Sequence, residues 1–238
     1  MKTKNRILIF DIETTPIVAY VWGLWEQDVI RVKEDWRILS FSYKWLGEKE
    51  IHFVRAQHDD KSACRQLHKL FDQADIIVAH NGNRFDVPKV QARFLVHGLP
   101  PPTPFKAVDT KLVARKHFGF NSNKLDTLGE VLGEGRKYQH EGFDLWLGCM
   151  AGNEKSWRTM EKYNKRDVLL LERLYLRMMP YMTTYPKLHP QASCQHCGSE
   201  DVQFRGMYPA KREARRFVCK NCGVWGHIFI NSKKKGGR

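Results

Sequence analysis

The chain has 238 residues, of which 42% are hydrophobic and 12% aromatic, and its formal net charge is +14. This composition excludes a wholly disordered chain, because disordered chains lack the apolar residues needed to build a core. No stretch reaches the roughly 18 apolar residues of a membrane span, and the apolar segment 7–10 is too short for a signal-peptide core. We therefore expect a soluble, cytoplasmic protein that does not bind membranes.

The positive charge is concentrated near the C-terminus. Residues 187–238 contain 11 basic and 3 acidic residues, so this last part supplies more than half of the net charge. Such a basic segment is typical of proteins that bind polyanions, although it can also serve solubility only. We expect nucleic acid as the partner.

The first strands and helices follow from hydrophobic periodicity. Residues 6–10 predict a buried strand that ends at Asp11, and residues 37–46 and 50–55 predict two further strands joined by a turn at Gly47. A helix over residues 59–71, a short strand over 76–78 and a second helix over 87–97 come next. Prolines between residues 100 and 104 indicate a surface connection.

The rest of residues 1–180 continues the alternation. A short strand at residues 107–108 leads into helices over 110–117 and 124–132, and the glycine-rich segment 133–152 predicts a loop. Ser156 is expected to cap a long helix that runs to Met179. Three strands followed by alternating helices and strands predict an α/β domain with a mixed sheet. Three tryptophans are expected to pack in its interior: Trp22, Trp25 and Trp36.

Two acidic residues stand at the end of the first predicted strand. Asp11 and Glu13 are two residues apart, so they point to the same face of the strand. Glu48 and Glu50 have the same spacing, but they flank a turn, where solvated side chains are expected. The buried strand distinguishes the first pair, because unpaired carboxylates at the rim of a buried sheet are costly unless a cation neutralises them.

Three further acidic residues have two interpretations each. Asp86 follows a strand through a polar turn, where α/β proteins bind ligands, but taken alone it is better explained as a helix N-cap. Asp109 could be an acid that supports the site from behind its ligands, but it is better explained as a helix N-cap. Tyr163 and Asp167 are four residues apart and share one face of the long helix. Taken separately, they are also explained as a core tyrosine and an aspartate paired with a neighbouring basic side chain.

The combination of these residues resembles the tyrosine branch of the DEDD superfamily of 3′-to-5′ exonucleases. Residues 10–16 and 163–168 are most similar to the proofreading exonuclease module of family-B DNA polymerases and its stand-alone bacterial and phage relatives. The resemblance covers nearly all of residues 6–179. In chain order its motifs are Asp11-x-Glu13, Asn81-x-x-x-Phe85-Asp86 and Tyr163-x-x-x-Asp167.

The resemblance implies a ribonuclease-H-like fold and two Mg²⁺ or Mn²⁺ ions held by carboxylates. It implies that Asp11 bridges both ions, that Glu13 and Asp167 complete the first site, and that Asp86 helps to hold the second. Tyr163 is then expected to hydrogen-bond the attacking water. Paired ions of this kind activate the water and stabilise the leaving 3′ oxygen. Three nearby residues are candidates for holding the terminal nucleotide: Thr14, Asn81 and Phe85.

Four of the six cysteines form two C-x-x-C pairs with 21 residues between the pairs. This spacing indicates one structural Zn²⁺ ion and resembles a zinc ribbon, over residues 193–231, in which His196 is not needed as a ligand. Basic and aromatic side chains between the pairs predict contact with a phosphate backbone, although a zinc ribbon can equally dock a protein. The ligand candidates are Cys194, Cys197, Cys219 and Cys222; the basic candidates are Lys211, Arg212, Arg215 and Arg216.

Together these features predict a metal-dependent 3′-to-5′ exonuclease that acts on DNA, preferring single-stranded ends, with a zinc ribbon that helps to hold the substrate. Residues 181–192 are expected to be a linker and residues 232–238 a basic tail, and Cys64 and Cys149 ordinary buried residues. We expect a bacterium or a phage-infected cell as the setting, with a partner in DNA replication, recombination or repair. The sequence leaves open an RNA exonuclease or structure-selective nuclease on the same fold, and a non-catalytic nucleic-acid-binding adaptor.

Overall fold

The structure is a computed structural model that describes residues 6–25, 28–182, 193–208 and 214–229. Its central sheet has the strand order β5-β4-β1-β6-β7, and β2 and β3 form a separate hairpin. Strand β1 is antiparallel to β4 and parallel to β6, so the sheet is mixed, as predicted. The strands are β1 (Ile7–Thr14), β2 (Val18–Tyr20), β3 (Arg31–Glu34), β4 (Ile38–Trp45), β5 (His52–Arg55), β6 (Ile76–Ala79) and β7 (Lys106–Asp109).

Helices cover both faces of the central sheet. Alternate residues of β1 point to opposite sides: Ile7 and Ile9 join one hydrophobic cluster, and Leu8 and Phe10 join the other. The first cluster lies under the third, fourth and sixth helices, and the second lies under the first two. The helices are α1 (Lys61–Gln73), α2 (Asp86–Val96), α3 (Thr110–His117), α4 (Leu125–Val131), α5 (Asp144–Met150) and α6 (Glu154–Met178).

Strand β1 is longer than predicted, because it continues past Asp11 to Thr14. Asp11 pairs with Ser42 of β4, and Glu13 pairs with Ser40. The register then shifts, which leaves Leu39 unpaired as a bulge. The backbone ladder to β4 therefore extends beyond the apolar run, and both carboxylates lie within the sheet rather than after it.

The hairpin of β2 and β3 was not predicted, and it carries two tryptophans on its surface. Trp22 and Trp25 are 90% and 84% exposed, so the prediction that they pack in the interior is wrong. Trp36 is half-buried, with Lys89 Nζ 3.6 Å from its ring centroid. Aromatic content predicts burial only where the backbone itself lies against a core, and most of this hairpin is exposed.

The segment that was predicted to be a loop contains the helix α5. Leu145 and Cys149 are four residues apart, and both are buried in a cluster with Trp157 and Met160 of α6. The prediction of a loop over residues 133–152 is therefore wrong at this point. A helix of two turns buries only this one pair, which is too little for the periodicity to be recognised between glycines.

Helix α6 begins earlier than predicted. Its N-cap is Asn153, whose side chain accepts hydrogen bonds from the backbone N–H groups of Lys155 and Ser156. The expectation that Ser156 is the cap is wrong, because Ser156 already lies inside the first turn. The helix ends at Met178 and a short 3₁₀ turn, Met179–Tyr181, follows it.

The C-terminal part forms a three-stranded antiparallel sheet of β8 (Val202–Tyr208), β9 (Ala214–Cys219) and β10 (Trp225–Phe229). Its buried residues Cys194 and Phe217 belong to the same hydrophobic cluster as Tyr175 and Met178 of α6. The predicted basic residues Lys211 and Arg212, most of the predicted linker and the whole basic tail lie outside the described residues.

In the described ranges, no helix has both the length and the apolar character that crossing a membrane requires.

Candidate active site

Three carboxylates from two elements meet at the central strand β1, towards its C-terminal end. Asp11 and Glu13 are two residues apart on β1, and Asp167 reaches them from the middle of α6. One oxygen of each carboxylate lies within 4.8 Å of the others. The strand period and the position of α6 over the same face of the sheet bring these three residues together.

Asp86 lies next to this group, at the start of α2. It is 3% exposed, and its Oδ1 accepts a hydrogen bond at 3.2 Å from the backbone N–H of Ile12, the residue between the two β1 carboxylates. The N-cap position of α2 is occupied by Phe85. The alternative that Asp86 serves only as an N-cap is therefore wrong.

Burial and mutual repulsion strongly disfavour negative charge at this site. Burial, followed by the charges of Glu13 and Asp86, raises the pKa of Asp11 well above its usual value. Burial and the charge of Asp167 raise the pKa of Glu13 to about 8. Burial also raises the pKa of Asp86 to about 7. Such a cluster stays ionised only where cations compensate it.

Lys137 supplies one positive charge from the glycine-rich segment before α5. Its Nζ lies 2.6 Å from Asp167 Oδ2 and 3.2 Å from the hydroxyl of Tyr163. Burial disfavours the ammonium, but the charge and hydrogen bond of Asp167 outweigh that cost and raise the pKa of Lys137. In this structure Lys137 is the cationic partner of Asp167.

The basic neighbours of Asp167 on α6 have other partners. Lys165 Nζ lies 2.6 Å from Glu161 Oε1, and Arg166 Nε donates to the carbonyl of Arg136 at 2.9 Å. The alternative that Asp167 pairs with an adjacent basic side chain is therefore wrong.

Tyr163 borders the carboxylates one turn before Asp167. Its hydroxyl hydrogen-bonds Glu13, and its ring contacts the rings of His140 and Trp146 at centroid distances of 4.7 and 6.0 Å. Burial and the charge of Glu13 raise the pKa of Tyr163, so the phenol stays protonated. The site thus contains a neutral O–H group beside its carboxylates.

The acidic cluster fits a divalent cation. Asp167 Oδ1 is buried and has no hydrogen-bond partner among the described residues. The group of Asp11, Glu13 and Asp167 offers only carboxylate oxygens, which are the hard ligands that Mg²⁺ and Mn²⁺ take. These residues therefore have the chemistry of a metal site.

A family model described as RNase_H superfamily matches residues 8–179, which is most of the chain. The chain belongs to the RNase_H superfamily. Its mixed sheet flanked by helices is the fold that the sequence resemblance implied.

Two similarities place this superfamily member near DNA polymerases. It is 28% identical over 142 residues to a DNA polymerase III PolC-type from Ureaplasma parvum serovar 3. The matched region covers 51% of this chain and 9% of that polymerase. The family B DNA polymerase from the archaeon Pyrobaculum calidifontis superposes with a TM-score of 0.58 at 18% identity, covering 74% of this chain and 25% of the polymerase. The chain thus spans a small part of both, and the second likeness shows the fold.

The turn before Asp86 is held by Asp109. Asp109 accepts hydrogen bonds from the backbone N–H groups of Asn81 and Asn83, and it also caps α3, as predicted. Asn81 has φ 70°, a left-handed conformation that asparagine tolerates better than most residues. Phe85 is 37% exposed beside the site, so it does not belong to the core.

A cleft of about 430 Å³ opens beside the carboxylates of this RNase H-like domain. Thr14 lines it from the end of β1, and the loop before α5 and α5 itself line the opposite side. Its aromatic lining was missed from the sequence, because it comes from the segment that was predicted to be a loop. The lining residues are Thr14, Thr15, Pro16, His140, Gly142, Phe143 and Trp146.

The four cysteines of the two C-x-x-C pairs form a second candidate metal centre. Their sulfur atoms lie within 4.8 Å of one another, with Sγ distances of 3.6 Å for Cys194 and Cys222 and 3.7 Å for Cys197 and Cys219. Four thiolates around one tetrahedral Zn²⁺ are expected about 3.8 Å apart, given Zn–S bonds of about 2.3 Å. The cluster therefore fits a structural zinc ion.

The ring of His196 contacts α6, because its Nδ1 lies 3.4 Å from the hydroxyl of Tyr175. On β9, Arg215 and Arg216 are exposed, and Arg215 stacks 4.2 Å from the ring centroid of Phe204. The described part of the ribbon thus presents paired guanidinium and aromatic groups at its surface.

Two further residues of the site, beyond the aromatic lining of the cleft, were not predicted from the sequence. Lys137 lies in a segment without periodicity, so no local signal identifies it. Asn164 stands between Tyr163 and Asp167 and is fully buried. A polar residue of low helix propensity inside a functional motif is a signal that the sequence does contain.

Proposed function

We propose that this chain is a metal-dependent 3′-to-5′ exonuclease that hydrolyses phosphodiester bonds at DNA ends, with a preference for single strands. The observation that carries the proposal is the meeting of Asp11, Glu13 and Asp167 within 4.8 Å beside an open cleft. Both polymerase relatives are DNA polymerases by name, which favours DNA over RNA. The 3′-to-5′ direction rests on the resemblance of the three motifs.

The carboxylates divide between two ions in this proposal. Asp11, Glu13 and Asp167 would hold one Mg²⁺ or Mn²⁺, and Asp86 would help Asp11 to hold the second. When bound, such ions supply Lewis-acid activation of water and of the leaving oxygen. The oxygen of the water forms a bond to phosphorus while the bond from phosphorus to the 3′ oxygen breaks.

Other residues of the chain orient the reactants. The protonated hydroxyl of Tyr163 donates its proton to Glu13, so it accepts a hydrogen bond from the attacking water and thereby fixes the direction of the water. The cleft beside Thr14 receives the terminal nucleotide, with Phe143 and Trp146 against its base. The exposed ring of Phe85 stacks on the next base. Such stacking suits an exonuclease because it does not depend on the identity of the base.

The zinc ribbon holds the substrate strand. Arg205, Arg215 and Arg216 are exposed on its sheet, and each phosphate contact of such a side chain releases counterions. Lys211 and Arg212 remain predicted contributors. A cytoplasmic setting in a bacterium or phage-infected cell, and a protein partner in replication, recombination or repair, are part of the same proposal.

The decisive experiment follows 5′-labelled single-stranded DNA and RNA of matched sequence on a gel, with purified protein and Mn²⁺, with and without EDTA. We expect a ladder that shortens from the 3′ end of DNA and disappears in EDTA. Asp11→Asn should reduce the rate about a hundred- to thousandfold, since removal of one group that stabilises charge in the transition state costs that much.

The matched control is Glu48→Gln, because Glu48 and Glu50 repeat the spacing of Asp11 and Glu13 outside the site. This variant should retain the wild-type rate. If only RNA is degraded, the proposed DNA substrate is wrong and the chain is an RNA exonuclease. If the substrate stays intact in every lane but the protein still shifts it in a native gel, the proposed exonuclease activity is wrong, and the chain is better explained as a non-catalytic nucleic-acid-binding adaptor.

A further inference from the structure

We propose that Asn164 is a positioning residue that fixes the Asp11 carboxylate for metal binding, an inference that rests on the proposed function. Its Nδ2 lies 2.7 Å from Asp11 Oδ2 and 3.4 Å from the main-chain oxygen of Asp11. One amide group thus holds both the side chain and the backbone of Asp11, the residue that both ions would share in the proposed function. It also ties α6 to β1 at this point.

Burial and helix propensity both favour an apolar residue at position 164 of α6, and only the hydrogen bond to Asp11 favours asparagine there. Met160 and Val168, one turn before and after it, are fully buried and apolar. Asparagine has low helix propensity, because its side chain competes with the helical backbone for hydrogen bonds. Burial of its amide adds a desolvation cost. The hydrogen bond to Asp11 compensates this cost at Nδ2, whereas Oδ1 is buried without a hydrogen-bond partner among the described residues.

The chemistry of the amide defines its orientation. Only Nδ2 can face a carboxylate, since Oδ1 in that place would bring two acceptors together. Neighbouring groups that hydrogen-bond a metal-binding carboxylate orient it and raise metal affinity. Without Asn164, Asp11 would be free to turn away from Glu13, whose charge repels it. The amide therefore holds Asp11 in the arrangement that two ions require.

The test measures Mn²⁺ affinity by calorimetry in the full-length wild type and in Asn164→Leu, which keeps the buried volume and removes the donor. We expect Mn²⁺ affinity to fall by about 10- to 100-fold, the usual effect of removing such a support. Activity of the variant should recover as Mn²⁺ is raised, because the ligands themselves remain. An affinity within twofold of wild type would overturn the inference.

Glu172→Gln is the matched control. Glu172 is also buried on α6, and it forms an ion pair with Lys44 of β4. Breaking that pair lowers the free energy of unfolding but leaves Asp11 held as before, so Mn²⁺ affinity should stay unchanged. A purely structural role for Asn164 predicts that Asn164→Leu behaves like this control.

A second measurement on the wild type keeps the inference testable even if Asn164→Leu does not fold. The side-chain ¹⁵N–¹H signals of Asn164 should exchange slowly with solvent and shift when Mg²⁺ is added. If the chemical shifts of these signals do not change at saturating Mg²⁺, the inference is wrong.

Failure of the inference is distinct from failure of the proposed function. If wild type binds Mn²⁺ through Asp11 and the Asn164 variant binds it equally well, only the inference falls. If the wild type does not bind Mn²⁺, or if Asp11→Asn binds it as well as the wild type does, both the inference and the proposed function are wrong.

Discussion

Lys137 Nζ lies 2.6 Å from Asp167 Oδ2, where it forms an ion pair inside an otherwise acidic site. Lys137 comes from the glycine-rich segment before α5, and Asp167 lies in the middle of α6. This one ammonium group reduces the repulsion among the carboxylates and ties a segment without regular structure to the longest helix.

Replacing Lys137 should destabilise the metal-free protein. Lys137→Met leaves Asp167 buried without its cation, so the free energy of unfolding in EDTA should fall by about 1 to 3 kcal/mol. Urea denaturation measures this change, and saturating Mn²⁺ should restore part of it. The control is Lys165→Met: Lys165 pairs with Glu161 at the same 2.6 Å but near the surface, so it should cost at most about 0.5 kcal/mol. Equal losses for both variants would contradict the assigned role of Lys137.

His80 should make the protein less stable in mild acid. Its Nδ1 lies 2.9 Å from Thr110 Oγ1 and its Nε2 2.9 Å from the carbonyl of Asn123. Burial lowers the pKa of His80 to about 4, from its usual 6.5. As the pH falls below 6.5, His80 becomes protonated in the unfolded chain, whereas in the folded chain it stays neutral until about pH 4. The free energy of unfolding therefore decreases between pH 6.5 and pH 4.

The size of this effect follows from the same shift. Between pH 7.5 and pH 5, His80 should account for a loss of about 2 kcal/mol in the free energy of unfolding. Urea denaturation at both values, for wild type and His80→Gln, isolates the contribution, because all other titrating groups are shared. A variant that loses as much stability as wild type would show that His80 is not the responsible group.

Disruption of the four-cysteine cluster should loosen α6. Cys194 and Cys219 are buried in the same hydrophobic cluster as Tyr175 and Met178, so the ribbon covers the end of the helix that carries Asp167. In Cys219→Ser, backbone amides of residues 174–178 should lose protection from hydrogen exchange, since small domains built around a four-cysteine metal site lose their fold when a ligand is removed. Cys149→Ser, a buried cysteine elsewhere, should leave them protected. Unchanged protection in Cys219→Ser would show that the ribbon does not support the helix.

The exposed tryptophans of the β2 and β3 hairpin should contribute little to stability. Trp22→Ser and Trp25→Ser should each change the free energy of unfolding by about 0.5 kcal/mol or less, because both side chains are largely solvated. Trp157→Ala removes a side chain that is 2% exposed and should cost about 3 to 5 kcal/mol. Thermal denaturation of the three variants compares them directly. A large cost at Trp22 or Trp25 would mean that the hairpin packs on the body of the protein.

Local patterns predicted most of the central architecture correctly. The strands of the sheet and helices α1 to α4 lie close to their predicted ranges, because their apolar residues recur with strand or helix period over enough residues. The errors fall where burial depends on a distant partner. Helix α5 is stable because Leu145 and Cys149 pack on α6, and β1 is extended by pairing with β4.

The candidate site divides in the same way. Asp11, Glu13, Asp86, Tyr163 and Asp167 were predicted from the resemblance of their combined motifs, and the structure brings their side chains together. Lys137 and the Asn164 contact were not predicted, because each joins segments that are far apart in sequence.

The motifs and the family that they resemble therefore predicted the superfamily and the set of carboxylates, and the spacing of the cysteine pairs predicted the four-cysteine cluster. Only the tertiary structure decided which cation neutralises Asp167, which side chain holds Asp11, and that the ribbon shares a core with α6. The physical reason is range. Periodicity is a local property of the chain, whereas charge compensation and packing depend on which distant segments the folded backbone brings within a few ångströms.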